Sequence, residues 1–450
     1  MNLILNRAIL FFVGLLVFIL PIAHTIAVRN ISILILIFLT IYILLKNKTI
    51  KFNISFTKEI KNILFILIIF TTWLYFIAFF ISNETSWTVG EIKSQWITPL
   101  SYFITFGLLS VYFSKESKDL QKNFYSLIFL MLFVHVLYVD LYALKYYIQT
   151  KSIISRFSGL TEGPDKSNYI TNVLLAFLVS EVIYRFRTSK RVLNINNFVL
   201  LIIILLTLLS SIFEGMRNGV VAIIFLTISG LFFSFYNNDK YTKKFKFIIS
   251  FGIFILLTFP AMYNFKNDKR WDTLIQTIPY ALDTKTNKNW LNNEKYKRPV
   301  LPNGESVETS AYLRIAWGYE GLKLIYENPF GIGYGRNAFS HGLQIKYGDV
   351  QKVGHSHSGF IDLAIGIGIP GLIIWLSFGI YLMYVSYTFF MKYNSFYALI
   401  LFFNVSGFFA RFIVDSNMRD HMFQTFMLII GFSFIFMLKD KYQNEELNNK

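Results

Sequence analysis

The stretch NFVLLIIILLTLLSSIF, residues 197–213, decides the fold class of this chain. It is an almost unbroken run of Leu, Ile, Phe and Val and contains no charged residue. A helix of about 20 such residues crosses the roughly 30 Å of hydrocarbon in a bilayer. Similar runs recur from one end of the sequence to the other, and a soluble domain could not bury all of them. We therefore expect an all-α integral membrane protein.

The composition supports this interpretation and excludes several classes of function. Of the 450 residues, 54% are hydrophobic and only 15% are charged. The chain has no cysteine, which excludes disulfides and thiolate chemistry. The net charge of +17 could suggest nucleic acid, but Lys and Arg lie mainly in short loops between apolar runs. That distribution indicates membrane orientation, and we expect no nucleic-acid partner.

The apolar runs predict about twelve transmembrane helices in a single polytopic domain, residues 1–450. The second run is short for a span, and the first is read as a retained membrane helix because its apolar part is long for a signal peptide. The predicted spans are residues 8–27, 31–45, 62–82, 95–113, 125–148, 168–184, 197–213, 218–236, 246–263, 370–388, 395–414 and 421–438.

Loop charges predict the orientation. With the N-terminus in the cytoplasm, the loops on that side contain most of the Lys and Arg residues, as the positive-inside rule requires. An even number of spans returns the C-terminus to the cytoplasm. The alternate loops then lie outside, and the longest of them covers residues 264–356. Long loops usually carry function or are disordered, and this one contains a predicted helix from about Leu313 to Tyr326, whereas residues 272–310 are left undecided.

Two arginines on the predicted external side are candidates for anion binding. Arg217 lies in SSIFEGMRNGVV, a tight turn between two apolar runs, where it could also be a boundary arginine that snorkels to the interface. Arg314 is predicted to open the helix of the long loop, where a bound anion would meet a guanidinium and the positive helix end. A solvated loop charge is the alternative for Arg314.

Two further clusters fall on the same predicted side. His355 and His357 in GHSHSGF could ligate a metal, but no Cys or carboxylate cluster at zinc spacing accompanies them, so general-base chemistry fits better. Asp415 and Arg419 lie in VDSNMRDH, where they form either a salt-bridged cap or part of a site. Four such clusters on one side favour a shared external site.

The segment from Arg314 to Trp375 resembles the O-antigen ligase and polymerase superfamily of bacterial membrane glycosyltransferases. The resemblance rests on His357 and Ser358, followed after nine residues by Gly368 and Gly371. The preceding ENPFGIGYGRNAF is similar to the family's segment before its histidine, and the turn with Arg217 is similar to its upstream arginine motif. The chain departs from that motif at Val221, where the family often has Leu.

The resemblance implies a GT-C-like fold and a metal-independent, cofactor-free glycosyltransferase. The donor would be a glycan on undecaprenyl diphosphate, and a ligase would transfer it to a hydroxyl of lipid A core at the periplasmic face of the inner membrane, in lipopolysaccharide biosynthesis. Arg217 and Arg314 would bind the diphosphate and His357 would act as general base in an inverting displacement. His355, Asp415 and Arg419 would orient the base or the phosphate.

Three other functions stay open at this point. An O-antigen polymerase of the same superfamily would use a lipid-linked glycan as acceptor, and a protein O-oligosaccharyltransferase would use a protein. A transporter or flippase is the alternative from a different class. It is disfavoured because the sequence shows no internal repeat and its candidate groups lie outside the apolar runs.

Overall fold

The computed structural model describes most of the chain, and the described part consists of helices and connecting segments without a strand. The apolar runs form helices because their backbone groups are satisfied within the segment, as a lipid environment requires. The described residues are 2–46, 57–235, 242, 244–245, 247–248, 251–252, 254–255, 258, 262, 274–348, 350 and 353–448.

The described helices follow one another along the chain. In order they are α1 (Asn2–Ile19), α2 (Ile26–Lys46), α3 (Lys58–Phe80), α4 (Thr85–Ile92), α5 (Thr98–Glu116), α6 (Lys118–Thr150), α7 (Pro164–Thr188), α8 (Asn197–Glu214), α9 (Arg217–Phe235), α10 (Leu274–Leu282), α11 (Thr309–Glu327), α12 (Ala338–Tyr347), α13 (Gly359–Tyr393), α14 (Phe396–Phe412) and α15 (Asp420–Asn448). A π-helical turn at Lys93–Ile97 joins α4 to α5, and a 3-10 turn covers Lys288–Trp290.

Eight of the described helical segments are long and apolar enough to cross a membrane. The second predicted span is one of them, because α2 extends over 21 residues. Parts of α1 and α9, and all of α14, form shorter apolar helices. The predicted span at residues 246–263 lies outside the continuously described residues. The chain is thus an all-helical multi-pass membrane protein in its described part, while the number of about twelve spans stays a prediction.

Helix α15 lies at the centre of the bundle, since 89% of its most apolar window is buried. It packs closely on α5, where a Cβ added to Gly431 would lie only 2.5 Å from the carbonyl oxygen of Phe103. Glycine at this position therefore lets the two backbones approach, which is the usual role of small residues in membrane helix packing.

The long loop after the ninth predicted span forms a small helical unit with its own core. Helix α11 confirms the predicted helix and is longer than expected at its start. Glu320 of α11 is buried and accepts hydrogen bonds from Thr284 Oγ1 at 2.6 Å and from Tyr347 Oη at 2.7 Å. These bonds link α11 to α12 and to the segment that follows α10, and Ile365 of α13 joins the same apolar cluster. The unit is thereby fixed on the first turns of α13.

Helices α7, α13 and α14 connect the two ends of the bundle. The start of α7 meets the end of α14, because Arg411 Nη2 donates to the carbonyl oxygen of Asp165 at 2.7 Å. The start of α13 lies at the same end, where Gly359 N donates to the carbonyl oxygen of Asp415 at 3.1 Å. All the candidate residues on these helices and the adjoining loops therefore come to one end of the bundle.

Candidate functional site

Arg314 lies in the second turn of α11 and does not open the helix. The helix begins at Thr309, and the carboxylate of Glu308 accepts hydrogen bonds from Ser310 N at 3.1 Å and Ala311 N at 2.5 Å. The amides at this terminus are therefore already bonded to a side chain of the chain itself. The prediction that Arg314 opens the helix is wrong, because the helix starts earlier than its apolar pattern indicated.

Helix α11 instead places Arg314 beside the loop that contains His355 and His357, which we call the histidine loop. Trp317 is three residues further along and shares a helix face with Arg314. Its ring stacks on the imidazole of His357, with 5.7 Å between centroids and 18° between planes. Trp317 is itself fixed because its Nε1 donates to the carbonyl oxygen of Trp290 at 3.0 Å. The face that carries Arg314 thus supports the ring of His357.

The histidine loop adopts a constrained backbone. His357 has a φ of 62°, in the left-handed region that non-glycine residues rarely adopt. Its N donates to His355 Nδ1 at 3.2 Å, and the two rings meet edge to face at 4.3 Å. Asp362, in the first turn of α13, accepts a hydrogen bond from Ser356 N at 2.8 Å. These contacts hold the strained turn and fix the direction of the His357 side chain.

Both imidazoles are neutral at physiological pH. Burial and the nearby cations Arg419 and Arg314 together lower the pKa of His355 to about 4, against the opposite effect of Asp415. Burial lowers the pKa of His357 to about 3, with additional contributions from His355 and Arg314, and Asp415 again acts in the opposite direction. A neutral imidazole has a free lone pair, so each ring is able to accept a proton.

Asp415 is the acidic group of this loop cluster, and its partner is Arg411 of α14. Asp415 Oδ2 accepts from Arg411 Nη2 at 2.8 Å and Nε at 3.0 Å, and both side chains are buried. Burial raises the pKa of the Asp415 carboxyl, but the charge and hydrogen bonds of Arg411 outweigh it, so the pKa lies below its ordinary value. The carboxylate therefore stays ionised near the two imidazoles.

A second buried carboxylate connects this pair to helices α7 and α8. Glu214 accepts hydrogen bonds from Ser167 Oγ at 2.6 Å, Thr171 Oγ1 at 2.8 Å and Asn168 Nδ2 at 2.9 Å. Arg411 Nη1 in turn lies 3.4 Å from Asn168 Oδ1. A continuous polar network therefore runs from Glu214 to Arg411 and on to the Asp415 carboxylate.

Arg217 is the first residue of α9 and follows this network along the chain. Helix α8 ends at Glu214, and Gly215 has a φ of 59°, which lets the chain turn into α9. The backbone of Arg217 thus begins at the end of the bundle that holds the histidine loop. Its side chain lies outside the described residues, so its role in anion binding stays a prediction.

A cleft of about 380 Å³ adjoins the histidine loop. Asp362 and Ser416 form its base, and Ser416 Oγ donates to Asp362 Oδ2 at 2.5 Å. Arg419 also lines the cleft, and its Nη1 is a buried donor that forms no hydrogen bond to any described residue. His357 does not line the cleft. The neighbouring residue Ser356 donates its backbone N–H to Asp362, which does line the cleft. A buried cationic donor is costly without a partner, so an anion bound here would be stabilised.

Arg336 forms the opposite wall of this cleft. It follows the GIGYG segment and bonds to two carboxylates, with Nη2 3.1 Å from Glu91 Oε1 and Nη1 3.1 Å from Asp420 Oδ1. These bonds join the loop before α12 to α4 and to the start of α15. Arg336 therefore ties this wall of the cleft to two other helices.

The two glycines of the histidine motif have structural roles. Gly368 has a φ of 70° and breaks α13, and a Cβ at this position would lie 2.4 Å from the backbone carbon of Phe330. The segment 331–335 packs into this break through backbone hydrogen bonds. Gly371 follows, where a Cβ would lie 2.6 Å from Nε1 of Trp73. The glycine pair thus fixes the long loop and α3 on α13.

The structure brings together most of the predicted site residues. Arg314, His355, His357, Asp415 and Arg419 influence one another electrostatically. Asp415 pairs with Arg411, whereas Arg419 Nε lies 3.7 Å from Asp420 Oδ2. The cluster is therefore neither a simple cap nor a set of solvated charges.

Sequence reasoning missed four residues of this region. A signal was available for Arg411, Glu214 and Asp362, since each is an ionisable residue inside an otherwise apolar run. Arg336 stood in a glycine-rich segment that was considered only for its glycines. Its contacts to Glu91 and Asp420 depend on chain segments far apart in sequence, and no local pattern indicated them.

A search of curated proteins gives no match. A protein-family model described as O-antigen ligase matches residues 199–376. The matched segment includes Arg217, Arg314 and His357 and ends before Asp415 and Arg419. Through this segment, the chain is similar to the O-antigen ligase and polymerase superfamily.

Proposed function

We propose that this protein is a ligase that transfers a glycan from undecaprenyl diphosphate to a hydroxyl of lipid A core, at the periplasmic face of the inner membrane. The observation that carries the proposal is the environment of His357. Its imidazole stacks on Trp317 with 5.7 Å between ring centroids, is neutral, and lies near the charges of Arg314 and Asp415. The family match over residues 199–376 supports a lipid-linked glycan as substrate.

The proposed reaction is a single displacement. The acceptor hydroxyl oxygen forms a bond to the anomeric carbon of the donor sugar as the bond from that carbon to the phosphate oxygen breaks. His357 accepts the hydroxyl proton, and the bonding electrons leave with undecaprenyl diphosphate. Attack opposite the leaving group inverts the configuration at the anomeric carbon. Asp415, which stays ionised, favours the imidazolium that forms.

The arginines of the cluster would stabilise the leaving group. Charge builds up on the diphosphate as the glycosidic bond breaks, and guanidinium groups bind phosphate oxygens strongly. Arg314 lies on the helix face beside His357, and Arg419 presents a buried donor to the adjacent cleft. Arg217 would join them from the start of α9. His355 would position the base, because it bonds to the backbone of His357.

The membrane setting supports this donor class. A polyprenyl tail stays in lipid, so its diphosphate must be met at the ends of the spans. The histidine loop directly precedes α13, and Asp415 lies between α14 and α15, so these groups stand at such ends. Loop charges favour the periplasm for this end and the cytoplasm for both termini.

The test is glycan transfer by purified protein supplied with undecaprenyl diphosphate-linked glycan. Wild-type protein is given lipid A core in one tube and a second lipid-linked glycan in another. We expect transfer to lipid A core, and we expect His357→Ala and His357→Gln to reduce it by about 10²- to 10⁴-fold, the usual contribution of a general base. Extension of the lipid-linked glycan alone would instead identify an O-antigen polymerase.

His341→Ala is the matched control. His341 also stacks on a tryptophan, Trp87, at 4.7 Å, but it lies in α12 outside the histidine loop. Its variant should retain transfer within a few-fold of wild type. Full activity of His357→Gln, or an equal loss in His341→Ala, would remove the general-base role. Activity with neither acceptor, under conditions in which an established ligase is active, would make transport the function to test.

A further inference from the structure

A second cavity lies at the end of the bundle opposite the histidine loop. Helix α7 runs from Asp165 near that loop to Thr188, a distance of roughly 37 Å for a helix of 25 residues. Thr188 is part of the wall of an open cavity of about 690 Å³, within the range of small-molecule pockets, typically about 300–1,000 Å³. We name it the basic cavity. Its cationic lining residues are Lys118, Lys122, Arg187, Lys190 and Arg191.

Helix ends create the basic cavity. Ser189 follows the end of α7 and Asn394 follows the end of α13, and both residues adopt left-handed backbone, with φ of 58° and 48°. Helix α6 begins after Ser117, whose side chain accepts a hydrogen bond from Leu120 N at 3.0 Å. The chain changes direction at each of these helix ends. An open space is thereby left between α6, α7 and the turn from α13 to α14.

The charges around this space are unbalanced. In the part of the chain that the structure describes, the side chains of Lys118, Lys122, Lys190 and Arg191 form no ion pair. The lining includes a single carboxylate, Asp440, and Ser395 Oγ donates to it at 2.6 Å. Among the described residues, the cavity lining therefore has more cations than carboxylates.

Orientation alone explains cations at this end but not their arrangement. The positive-inside rule requires Lys and Arg in the loops, and exposed side chains pointing into water would satisfy it. Here the cations converge on one concave space whose wall also includes hydrogen-bonding groups. These are Gln121, Tyr184, Thr188, Tyr393 and Asn394. Convergent cations and hydroxyl or amide donors are the chemistry that binds phosphate.

The position of the cavity along the spans indicates which kind of molecule carries that phosphate. Lys118 and Lys122 lie in the first turns of one candidate span, and Arg187 and Thr188 end another. The ends of spans lie at the level of the lipid headgroups, where tyrosines are also enriched. We infer that the basic cavity binds the phosphate of an anionic membrane phospholipid, in the leaflet opposite the histidine loop.

The experiment measures lipid binding to the purified full chain. The protein is released from neutral detergent micelles into a native mass spectrometer while phosphatidylglycerol is titrated against a background of phosphatidylcholine. We expect selective retention of phosphatidylglycerol. In Lys190→Glu/Arg191→Glu, binding should weaken by roughly thirtyfold or more, since each Lys or Arg near an anionic headgroup contributes about a factor of five. Lys118→Gln/Lys122→Gln, which removes charge from the other wall, should also weaken it.

Lys58→Glu/Lys61→Glu is the matched control. It makes the same change in net charge at the same end of the bundle, on the exposed start of α3 and outside the cavity. It should bind phosphatidylglycerol as wild type does. Equal weakening in both charge-reversed variants would show general attraction to a positive surface and overturn the proposal.

Two further outcomes also decide the proposal. Binding that survives in both cavity variants, each verified as monodisperse, would place the lipid elsewhere. Competition separates the two possible sources of phosphate. Millimolar inorganic phosphate should not displace the lipid, and full displacement at that concentration would mean that the cavity takes free phosphate instead.

Discussion

The two ends of the helix bundle handle charge in opposite ways. At the end with the histidine loop, charged groups are buried and bonded within the protein, as in the pair Arg411 and Asp415 and in Glu214 with its three donors. At the other end, cations such as Lys190 and Arg191 are exposed around an open cavity. The charged groups at the first end are held in fixed positions, whereas the cations at the second end create a positive electrostatic field.

This difference in charge burial fits the two proposals, in which one end binds a reacting glycan donor and the other end binds a lipid headgroup. A reacting bond requires its base and its phosphate-binding groups at fixed positions, and buried networks supply that rigidity at the expense of desolvation. A lipid headgroup requires only attraction over a short distance, which flexible lysines provide. Substitutions at the two ends should therefore have very different consequences for stability and activity.

The largest contrast should come from removing one arginine at each end. Arg411→Met leaves the buried Asp415 carboxylate without its cation, which should lower the free energy of unfolding by about 3–5 kcal/mol. Arg191→Met changes an exposed side chain and should alter it by less than about 0.5 kcal/mol. Unfolding of each variant in detergent measures both. Similar values for the two variants would contradict the distinction between the two ends.

A smaller effect is expected when the histidine loop loses its support. Asp362→Ala removes the acceptor for Ser356 N and Ser416 Oγ, so the strained turn at His357 should relax. A misplacement of about 1 Å costs about 10²-fold in rate, and we expect that loss in kcat with little change in KM. Asp140→Asn is the control, because Asp140 also accepts from a serine, Ser210, but lies outside the loop. A change in KM alone would assign Asp362 to substrate binding.

The smallest effect is expected from pH. The neutral imidazole is the active form, and it is present above the His357 pKa of about 3 and lost as pH falls through that value. Transfer measured as kcat/KM should therefore change by less than about twofold between pH 5.5 and 8, because that profile reports the free enzyme. An inflection near the ordinary histidine pKa of about 6.5 would mean that the loop is solvated like the opposite end.

Much of the fold was predictable because helix formation in lipid is local. Long apolar runs satisfy their own backbone hydrogen bonds, so α3, α6, α8 and α15 follow from the sequence alone. The helix α11 was also predictable, since a glycine and proline segment ends it. Its start was placed too late, because Glu308 caps it before the apolar pattern begins.

The sequence by itself determined an all-helical membrane chain, the asymmetry of its loop charges and the histidine motif with its two glycines. Only the tertiary structure decided that Asp415 pairs with Arg411, that Arg314 lies beside His357, and that Gly368 breaks α13. The physical reason is the separation in sequence over which each interaction acts. A helix depends on residues four apart, whereas the partner of a buried charge depends on which helices pack together, and that choice is the sum of many contacts between distant segments.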